Sequence, residues 1–289
     1  MKSKIDFRLD PLLLNEFIQS ALKEDVGDGD HTSLACIPAD SKSKARLLVK
    51  DVGVIAGIEL AKSIINYLDP DCTFTSFMND GEDVNFGDIV FELECNTRSL
   101  LMAERLILNT MQRMSGIATL SSRYSVEVEG MPVTVLDTRK TTPLLRFLEK
   151  WAVKIGGCEN YRNGLYDWIM IKDNHIDACG SITQAINSVR TYLSRHNLNL
   201  GITIEVRNLV ELYEVLQAGG VTRIMFDNFE LPILKEAVEI VNGRFETEAS
   251  GGINLQNIRL YATTGVDYVS SGALTHSAGS LDLSLKVIK

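Results

Sequence analysis

After residue 130 the sequence alternates between short β-rich runs and amphipathic helical segments, and this alternation limits the folds open to the chain more than any other feature. The runs are "PVTVLD", "WIMIKD", "ITIEV", "RIMFD", "FETEAS" and "DYVSS". A helical stretch follows every run except the last, which leads through a Gly/Ser loop to a final helix. Because strands that alternate with helices form parallel β/α units, we predict about six or seven units in a small or incompletely closed α/β barrel. A doubly wound open sheet is the alternative.

The sequence before this region has a mixed character. Apolar and polar residues alternate at helical spacing over 11–24, beginning at Pro11, which predicts a helix. The segment "EDVGDGDHTS" predicts a polar loop, while "ARLLVKDVGVIAGIEL" and "TFTSFMNDGEDVNFGDIVFELE" predict short strands joined by glycine turns. From Arg98 to about Val128 the pattern is helical, interrupted at Gly116. We predict an α+β domain over residues 1–115 and a barrel domain over 116–289, with the C-terminal segment free to return to the first domain.

Charge and cysteine content narrow the class of protein. The 289 residues have a net charge of −9, which argues against a nucleic-acid or anionic-membrane surface because both require broad positive fields. Five scattered cysteines without a CxxC pair fit a reducing compartment rather than a disulfide framework or a zinc site. Asp10, Asn15 and Glu16 interrupt the N-terminal apolar patch, so it does not resemble a signal peptide, and no run approaches a membrane span. We predict a cytoplasmic protein.

Polar side chains follow every predicted strand. The carboxyl ends of parallel strands meet at one rim of a barrel, or along one crevice of an open sheet, and both are the usual places for ligand binding. In chain order, the first strands would bring cations to the rim, the middle strands acids, and the last two strands Ser/Gly loops. This combination suits an anionic small molecule. The strand ends are Asp137-Thr138-Arg139-Lys140, Lys172-Asp173-Asn174-His175, Glu205, Asp227, Ser250-Gly251-Gly252 and Ser270-Ser271-Gly272.

Each of these features alone has an ordinary structural explanation. The adjacent Arg139 and Lys140 fit a solvated loop, as most such pairs do. Asp173 and Asp227 fit helix N-caps, and the glycine pairs fit turns. Arg105, in an apolar helix, fits a surface residue whose head group reaches water. The joint pattern over six successive strands outweighs these separate explanations.

The rim residues suit a phosphorylated sugar and a second anion. Glycines let backbone N–H groups approach a phosphate, and barrels often bind phosphate after their last two strands. A helix that begins directly after the Gly-Gly pair would add the favourable end of its dipole. Glu205 and Asp227 suit ribose hydroxyls, or Mg²⁺ held through water. Arg139 and Arg162 suit a planar carboxylate, because a guanidinium group donates two parallel hydrogen bonds.

Seven segments, in this order along the chain, resemble the quinolinate phosphoribosyltransferase family, also called nicotinate-nucleotide pyrophosphorylase (carboxylating). They are "ERLILNTMQRMSGIAT", "LDTRKTTPLLR", "KIGGCENYRNGLYDWIMIKDNHI", "IEVRN", "IMFDN", "EASGGIN" and "VSSGALTHS". The resemblance implies an α/β fold: an N-terminal α/β sandwich domain plus a partly open TIM-like α/β barrel. It also implies a homodimer in which the N-terminal domain of one subunit covers the barrel mouth of the other.

The resemblance implies a glycosyltransferase of the pentosyltransferase type that acts in de novo NAD biosynthesis. Quinolinate and phosphoribosyl pyrophosphate would give nicotinate mononucleotide, pyrophosphate and CO₂, with Mg²⁺ as the cofactor. Lys140, Glu205 and Asp227 would be catalytic, and the two carboxylates would also meet the Mg²⁺ shell through water. The substrate-binding residues that it implies are Arg105 (reaching the other subunit's site), Thr138, Arg139, Lys140, Tyr161, Arg162, Lys172, Glu205, Asp227, Ser250, Gly251, Gly252, Ser271, Gly272 and His276.

One position departs from the family pattern. The family commonly has Asn-His-Arg where this chain has Asn160-Tyr161-Arg162. Tyrosine donates a hydrogen bond but carries no charge near neutral pH, so a role that requires an imidazolium is in doubt at this position.

Two other functions would explain part of this set of residues. A nicotinate phosphoribosyltransferase, or a pyrophosphorylase acting on another acid, would not need so many cations for a second carboxylate. A non-catalytic phosphosugar-binding barrel would keep the glycine loops, but it has no need of Lys140, Glu205 and Asp227.

Overall fold

The computed structural model describes residues 11–288, which separate into two compact units. The N-terminal unit comprises 11–122, 142–157 and 277–288, and the barrel unit comprises 123–141 and 158–276. The prediction that the chain begins without a signal peptide rests partly on residues 1–10, which lie outside the described range. Within that range, no helix has the length and apolar character needed to cross a membrane.

Helices and strands alternate through most of the described chain. The helices are α1 (Pro11–Val26), α2 (His31–Cys36), α3 (Ile58–Leu68), α4 (Thr97–Glu127), α5 (Arg146–Ile155), α6 (Asp173–Cys179), α7 (Ile182–Arg195), α8 (Leu209–Ala218), α9 (Leu231–Val241), α10 (Ile258–Ala262) and α11 (Ala273–His276). The strands are β1 (Lys42–Val49), β2 (Gly53–Val54), β3 (Thr73–Ser76), β4 (Asp83–Val84), β5 (Ile89–Asn96), β6 (Thr134–Leu136), β7 (Ile169–Ile171), β8 (Ile202–Val206), β9 (Arg223–Asp227), β10 (Glu246–Ser250), β11 (Tyr268–Ser270) and β12 (Leu283–Ile288).

The N-terminal unit contains a four-stranded antiparallel sheet, in the order β12-β1-β5-β3, and the short β2-β4 pair. The helix predicted from Pro11 is confirmed as α1, and the one predicted over Arg98 to Val128 is confirmed as α4. Gly116 does not interrupt α4. A side chain at Gly116 would overlap the backbone of Gly279, so glycine is required there for close packing rather than for a break.

Two segments of this unit are more helical than the sequence predicts. Both ends of the predicted loop "EDVGDGDHTS" are helical: residues 24–26 end α1, and residues 31–33 begin α2. Asp30 caps α2 by accepting from the backbone N–H of Ser33 at 3.0 Å. The end of the predicted strand segment "ARLLVKDVGVIAGIEL" is the start of α3. Its first N–H, at Ile58, donates to Asp80 Oδ1 at 2.9 Å. That acceptor lies 22 residues away, so local sequence gives no sign of it.

The predicted final helix is wrong beyond His276, because the chain ends in a strand. Strand β12 pairs antiparallel with β1, and Leu285 lies opposite Leu47. Leu283 and Leu285 are buried, while Lys286, which follows them, is exposed. This two-residue period was visible in "LDLSLKVI" and indicates a half-buried strand.

The barrel unit contains a six-stranded parallel sheet in the order β6-β11-β10-β9-β8-β7. The first strand along the chain thus pairs with the last, which is the strand order of an α/β barrel. Strands β6 and β7 form the two edges, and Glu159 makes a parallel bridge to Leu136 at one of them. All six predicted β-rich runs form strands of this sheet, and the predicted partly open barrel is confirmed.

Candidate active site

The carboxyl ends of the six parallel strands place most of the predicted site residues along one edge of the barrel unit. Every predicted residue except Arg105 belongs to this unit. Arg105 lies in the N-terminal unit, on the exposed side of α4. The residues predicted from the sequence therefore lie together in one unit, except for Arg105, which lies in the other.

The ends of β7 and β8 are joined by an ion pair. Lys172 Nζ lies 2.5 Å from Glu205 Oε2. Glu205 is 7% exposed, whereas Lys172 reaches solvent. The backbone N–H of Lys172 donates to Nδ1 of His175 at 2.9 Å, which fixes the turn into α6. A residue predicted for the carboxylate ligand and a residue predicted for the ribose thus lie in direct contact.

The ends of β9 and β10 are held together by Asn228. Its Nδ2 group donates to Asp227 Oδ2 at 2.9 Å, and its backbone N–H donates to the carbonyl of Ser250 at 2.9 Å. Asn228 has a φ of 55°, a left-handed conformation that asparagine tolerates better than most residues. Gly251 has a φ of 95°, and a Cβ there would overlap the side chain of Asn228. Sequence reasoning missed Asn228, although "FDN" placed it beside Asp227.

The loop after β10 differs from the prediction in one respect. No helix begins directly behind Gly251 and Gly252, because α10 starts only at Ile258. Asn254 and Asn257 form a turn in between: the Asn254 N–H donates to Asn257 Oδ1 at 2.8 Å, and Asn257 Nδ2 donates to the Gly252 carbonyl at 3.1 Å. An anion at this loop would therefore meet backbone groups of the loop rather than a helix terminus.

The loop after β11 brings three predicted residues together. A Cβ at Gly272 would lie 2.8 Å from Lys140 Cδ and 3.0 Å from His276 Cδ2, so a larger residue would displace the Lys140 side chain from its present position. Thr275 Oγ1 donates to the Lys140 carbonyl at 2.7 Å and ties this loop to the end of β6. Sequence reasoning missed Thr275. A glycine between a lysine and a histidine suits a bound anion.

Ser271 contributes to the shape of this edge. Its hydroxyl donates to the Ile253 carbonyl at 2.7 Å, and its backbone N–H donates to the Leu136 carbonyl at 3.0 Å. Both of its donors are thus engaged within the fold, where they hold the two Ser/Gly loops against β6. The predicted phosphate contact of Ser271 would require one of these hydrogen bonds to change.

The segment around Tyr161 runs beside β6. Asp137 is fully buried, and its Oδ1 accepts from the backbone N–H of Tyr161 at 2.8 Å. The backbone N–H of Lys140 donates to Thr138 Oγ1 at 3.1 Å. The hydroxyl of Tyr161 lies 2.5 Å from Thr203 Oγ1, inside the barrel. Burial, and then the charge of Glu248, raise the pKa of Tyr161, so this hydroxyl stays neutral. Asp137, which sequence reasoning gave no role, connects the two arginine-bearing segments.

The fold and this edge together define a class: a two-unit α/β protein whose partly open barrel carries cations, acids and Ser/Gly loops suited to a phosphosugar and a second anion. Residues 117–286 match the family described as "Quinolinate phosphoribosyl transferase, C-terminal domain", and residues 30–115 match the corresponding N-terminal domain. The chain belongs to the quinolinate phosphoribosyltransferase family.

Named relatives and solved structures agree with this membership. A quinolinate phosphoribosyltransferase [decarboxylating] 1b of Nicotiana tabacum is 46% identical, over 95% of this chain and 82% of its own. A probable nicotinate-nucleotide pyrophosphorylase [carboxylating] of Bacillus subtilis is 40% identical, over 96% of this chain and 94% of its own. The crystal structure of NadC from Streptococcus pyogenes is 38% identical and has a TM-score of 0.90, over 97% of this chain and 99% of its own.

Proposed function

We propose that this chain transfers the phosphoribosyl group of phosphoribosyl pyrophosphate to the ring nitrogen of quinolinate. The products are nicotinate mononucleotide, pyrophosphate and CO₂, and the reaction belongs to de novo NAD biosynthesis. The observation that carries the proposal is the match of both family domains across the chain, with the rim residues gathered on one edge of the barrel. The enzyme is a nicotinate-nucleotide pyrophosphorylase (carboxylating).

The cations of the rim explain how two anionic substrates are held together. Quinolinate carries two carboxylates, and Arg139, Arg162 and Lys172 supply positive charge on neighbouring segments of one unit. Guanidinium groups suit planar carboxylates, because they donate paired hydrogen bonds. Through its contact with Glu205, Lys172 links the quinolinate end of the proposed site to the ribose end.

The chemistry requires mainly positioning and electrostatic stabilisation. The pyridine nitrogen attacks the anomeric carbon as pyrophosphate leaves through an oxocarbenium-like state, and Lys140 offsets the charge of the leaving group. Alkylation makes the ring nitrogen cationic. That charge stabilises the carbanion left when the adjacent carboxylate departs as CO₂, and the carbanion then takes up a proton to give nicotinate mononucleotide. The proposal needs no protein nucleophile.

Glu205 and Asp227 suit a magnesium ion that is also bound by the substrate. Both offer carboxylate oxygens, the ligand type that Mg²⁺ prefers. Within residues 11–288, no group of three or more His, Cys, Asp or Glu side chains could form a complete metal site, so substrate oxygens and water would complete the shell. When bound, the ion would neutralise charge on the pyrophosphate.

The exposed position of Arg105 on α4 supports a homodimer, in which Arg105 of each chain serves the site of the other. An exposed arginine outside the barrel unit is the type of residue that such an arrangement needs. The cytoplasmic location and the lack of a nucleic-acid partner remain predictions from the sequence.

Detection of nicotinate mononucleotide is the direct test. Purified protein is incubated with quinolinate, phosphoribosyl pyrophosphate and Mg²⁺, and the product is separated chromatographically while CO₂ release is followed from carboxyl-labelled quinolinate. We expect equal amounts of nucleotide and CO₂, and no product from the Lys140→Ala variant above a small residual rate. Turnover of nicotinate in place of quinolinate would instead identify the alternative phosphoribosyltransferase.

A further inference from the structure

A cluster of buried and partly buried polar and aromatic side chains lies inside the barrel, below the predicted ligand edge. We call it the floor cluster, and its members are Tyr161, Trp168, Thr203, Arg223, Glu248 and Tyr268. Thr203 Oγ1 accepts from Trp168 Nε1 at 2.9 Å and shares a hydrogen bond with the Tyr161 hydroxyl at 2.5 Å. Arg223 Nη1 donates to Glu248 Oε2 at 3.0 Å. Thr203 and Glu248 are fully buried, so a substrate at the edge does not reach them.

The charges of the floor cluster balance each other. Burial raises the pKa of Glu248, and the guanidinium of Arg223 opposes that effect. Arg223 is itself buried, yet the carboxylate of Glu248 raises its pKa on balance. The guanidinium also lies over the ring of Tyr268, 3.6 Å from its centroid, and over that of Tyr161, 4.9 Å from its centroid. The ion pair and the aromatic rings together fix the position of the Tyr161 ring.

Tyr161 connects this cluster to both predicted quinolinate arginines. It directly precedes Arg162, whose loop is held by Asp167, an acceptor of two backbone N–H groups at 2.8 and 3.0 Å. Its own N–H donates to Asp137 at 2.8 Å, and Asp137 lies two residues before Arg139. A shift of Tyr161 would therefore change the separation of the two guanidinium groups.

We propose that Tyr161 is a positioning residue and not a ligand of quinolinate. Its hydroxyl, anchored on Thr203 in the floor cluster, sets the spacing between Arg139 and Arg162. The inference rests on the proposed function, because it assigns these arginines to the diacid. It also accounts for a neutral side chain at a position where the family commonly has histidine, because Arg223 and Glu248 already pair with each other inside the barrel.

Thr203→Val and Tyr161→Phe each remove one partner of the anchoring hydrogen bond and leave the Tyr161 N–H intact. We measure the KM for each substrate and the Kd for quinolinate by calorimetry. For either variant, we expect the quinolinate constants to rise about 3- to 10-fold, which matches the loss of one buried hydrogen bond. The KM for phosphoribosyl pyrophosphate should stay within about twofold. The double variant should raise the quinolinate constants by less than the two single effects combined, because both substitutions remove the Tyr161–Thr203 contact, although Thr203→Val also removes the acceptor of Trp168 Nε1.

Two further variants control for general damage. Thr203→Ser keeps the hydroxyl and should restore near-normal constants. Thr247→Val removes a hydroxyl of another buried threonine, which bonds Asp267 Oδ2 at 2.7 Å, and should leave the quinolinate constants unchanged. If Thr203→Val fails to fold, Thr203→Ala removes the same hydroxyl and takes its place in the comparison with Tyr161→Phe.

The outcomes separate the two proposals. Normal quinolinate constants in Thr203→Val, with raised constants in Tyr161→Phe, would make Tyr161 a direct ligand and overturn the inference alone. A lower melting temperature of Thr203→Val and Tyr161→Phe, with unchanged KM and Kd for quinolinate, would also overturn the inference. A wild-type protein that neither binds nor converts quinolinate would overturn the proposed function, and the inference with it.

Discussion

Lys172 illustrates how single residues at the rim serve more than one neighbour. Its Nζ contacts the buried carboxylate of Glu205, and its backbone N–H contacts His175. Removing the Lys172 side chain would leave the buried carboxylate of Glu205 without its ion-pair partner, which is unfavourable for a buried charge. A substitution of Lys172 would therefore affect Glu205 as well as the predicted quinolinate contact. We expect it to change the KM for both quinolinate and phosphoribosyl pyrophosphate.

Arg139 offers a cleaner test at the residue scale. Arg139→Ala should lower kcat/KM for quinolinate about 100-fold or more, because a charge-assisted contact to a carboxylate is lost. Arg139→Lys keeps the charge but not the two-pronged hydrogen-bond geometry. Its kcat/KM for quinolinate should lie between those of Arg139→Ala and the wild type. The matched control is Arg244→Ala, an exposed arginine that bonds carbonyl groups at the end of α9. Steady-state kinetics on the three variants provides the check, and near-normal kinetics for Arg139→Ala would contradict the assignment.

Among the secondary-structure elements, β12 shows how a short terminal segment completes a sheet. It pairs with β1 at one edge of the antiparallel sheet of the N-terminal unit, and its Leu283 and Leu285 side chains enter the core. The signal for this strand was present in the sequence as an alternation with period two.

Leu283→Ala tests the contribution of β12. The side chain is 3% exposed, so its truncation should lower the free energy of unfolding by about 2–5 kcal/mol through lost burial and a residual cavity. Lys286→Ala, on the exposed side of the same strand, should change stability by at most about 0.5 kcal/mol. Urea unfolding followed by circular dichroism measures both variants. Equal stability of Leu283→Ala and wild type would show that β12 contributes no core packing.

At the scale of the whole molecule, the proposed dimer determines whether the site is complete. Arg105 and the rim residues belong to different units of the chain, and the proposal assigns Arg105 to the site of the other subunit. This arrangement makes activity a property of the assembly, because each site would combine side chains of two subunits.

Mixing two inactive variants tests that arrangement. Arg105→Ala and Lys140→Ala proteins are each nearly inactive under the proposal. When their subunits are exchanged, the mixed dimer has one site in which both residues are intact. Random exchange makes about half of the dimers mixed, each with one of two sites working, so about a quarter of wild-type activity should return. Separately unfolded and refolded variants are the control. No recovery after mixing would place Arg105 in the site of its own chain.

The sequence predicted those parts of the fold that have a strong local pattern. The six barrel strands and α4 were found because periodic apolar residues specify them directly. The start of α3 was not predicted, because its cap comes from Asp80, far along the chain. The start of α2 was also missed, although its cap, Asp30, is local. Asp137, Asn228 and Thr203 were not recognised as important, because each bonds a residue more than 20 positions away: Tyr161 for Asp137 and Thr203, and Ser250 for Asn228.

By itself, the sequence determined which chemical groups stand at the end of each strand, and the alternation of elements determined that those ends share one edge. Only the tertiary structure decided which of these groups touch. It pairs Lys172 with Glu205, and it brings Thr275 to the Lys140 carbonyl across 135 residues of chain. It also turns the Tyr161 hydroxyl inward to Thr203. Residue identity sets local backbone preference and available chemistry, whereas distances between loops depend on the register and packing of the sheet that carries them.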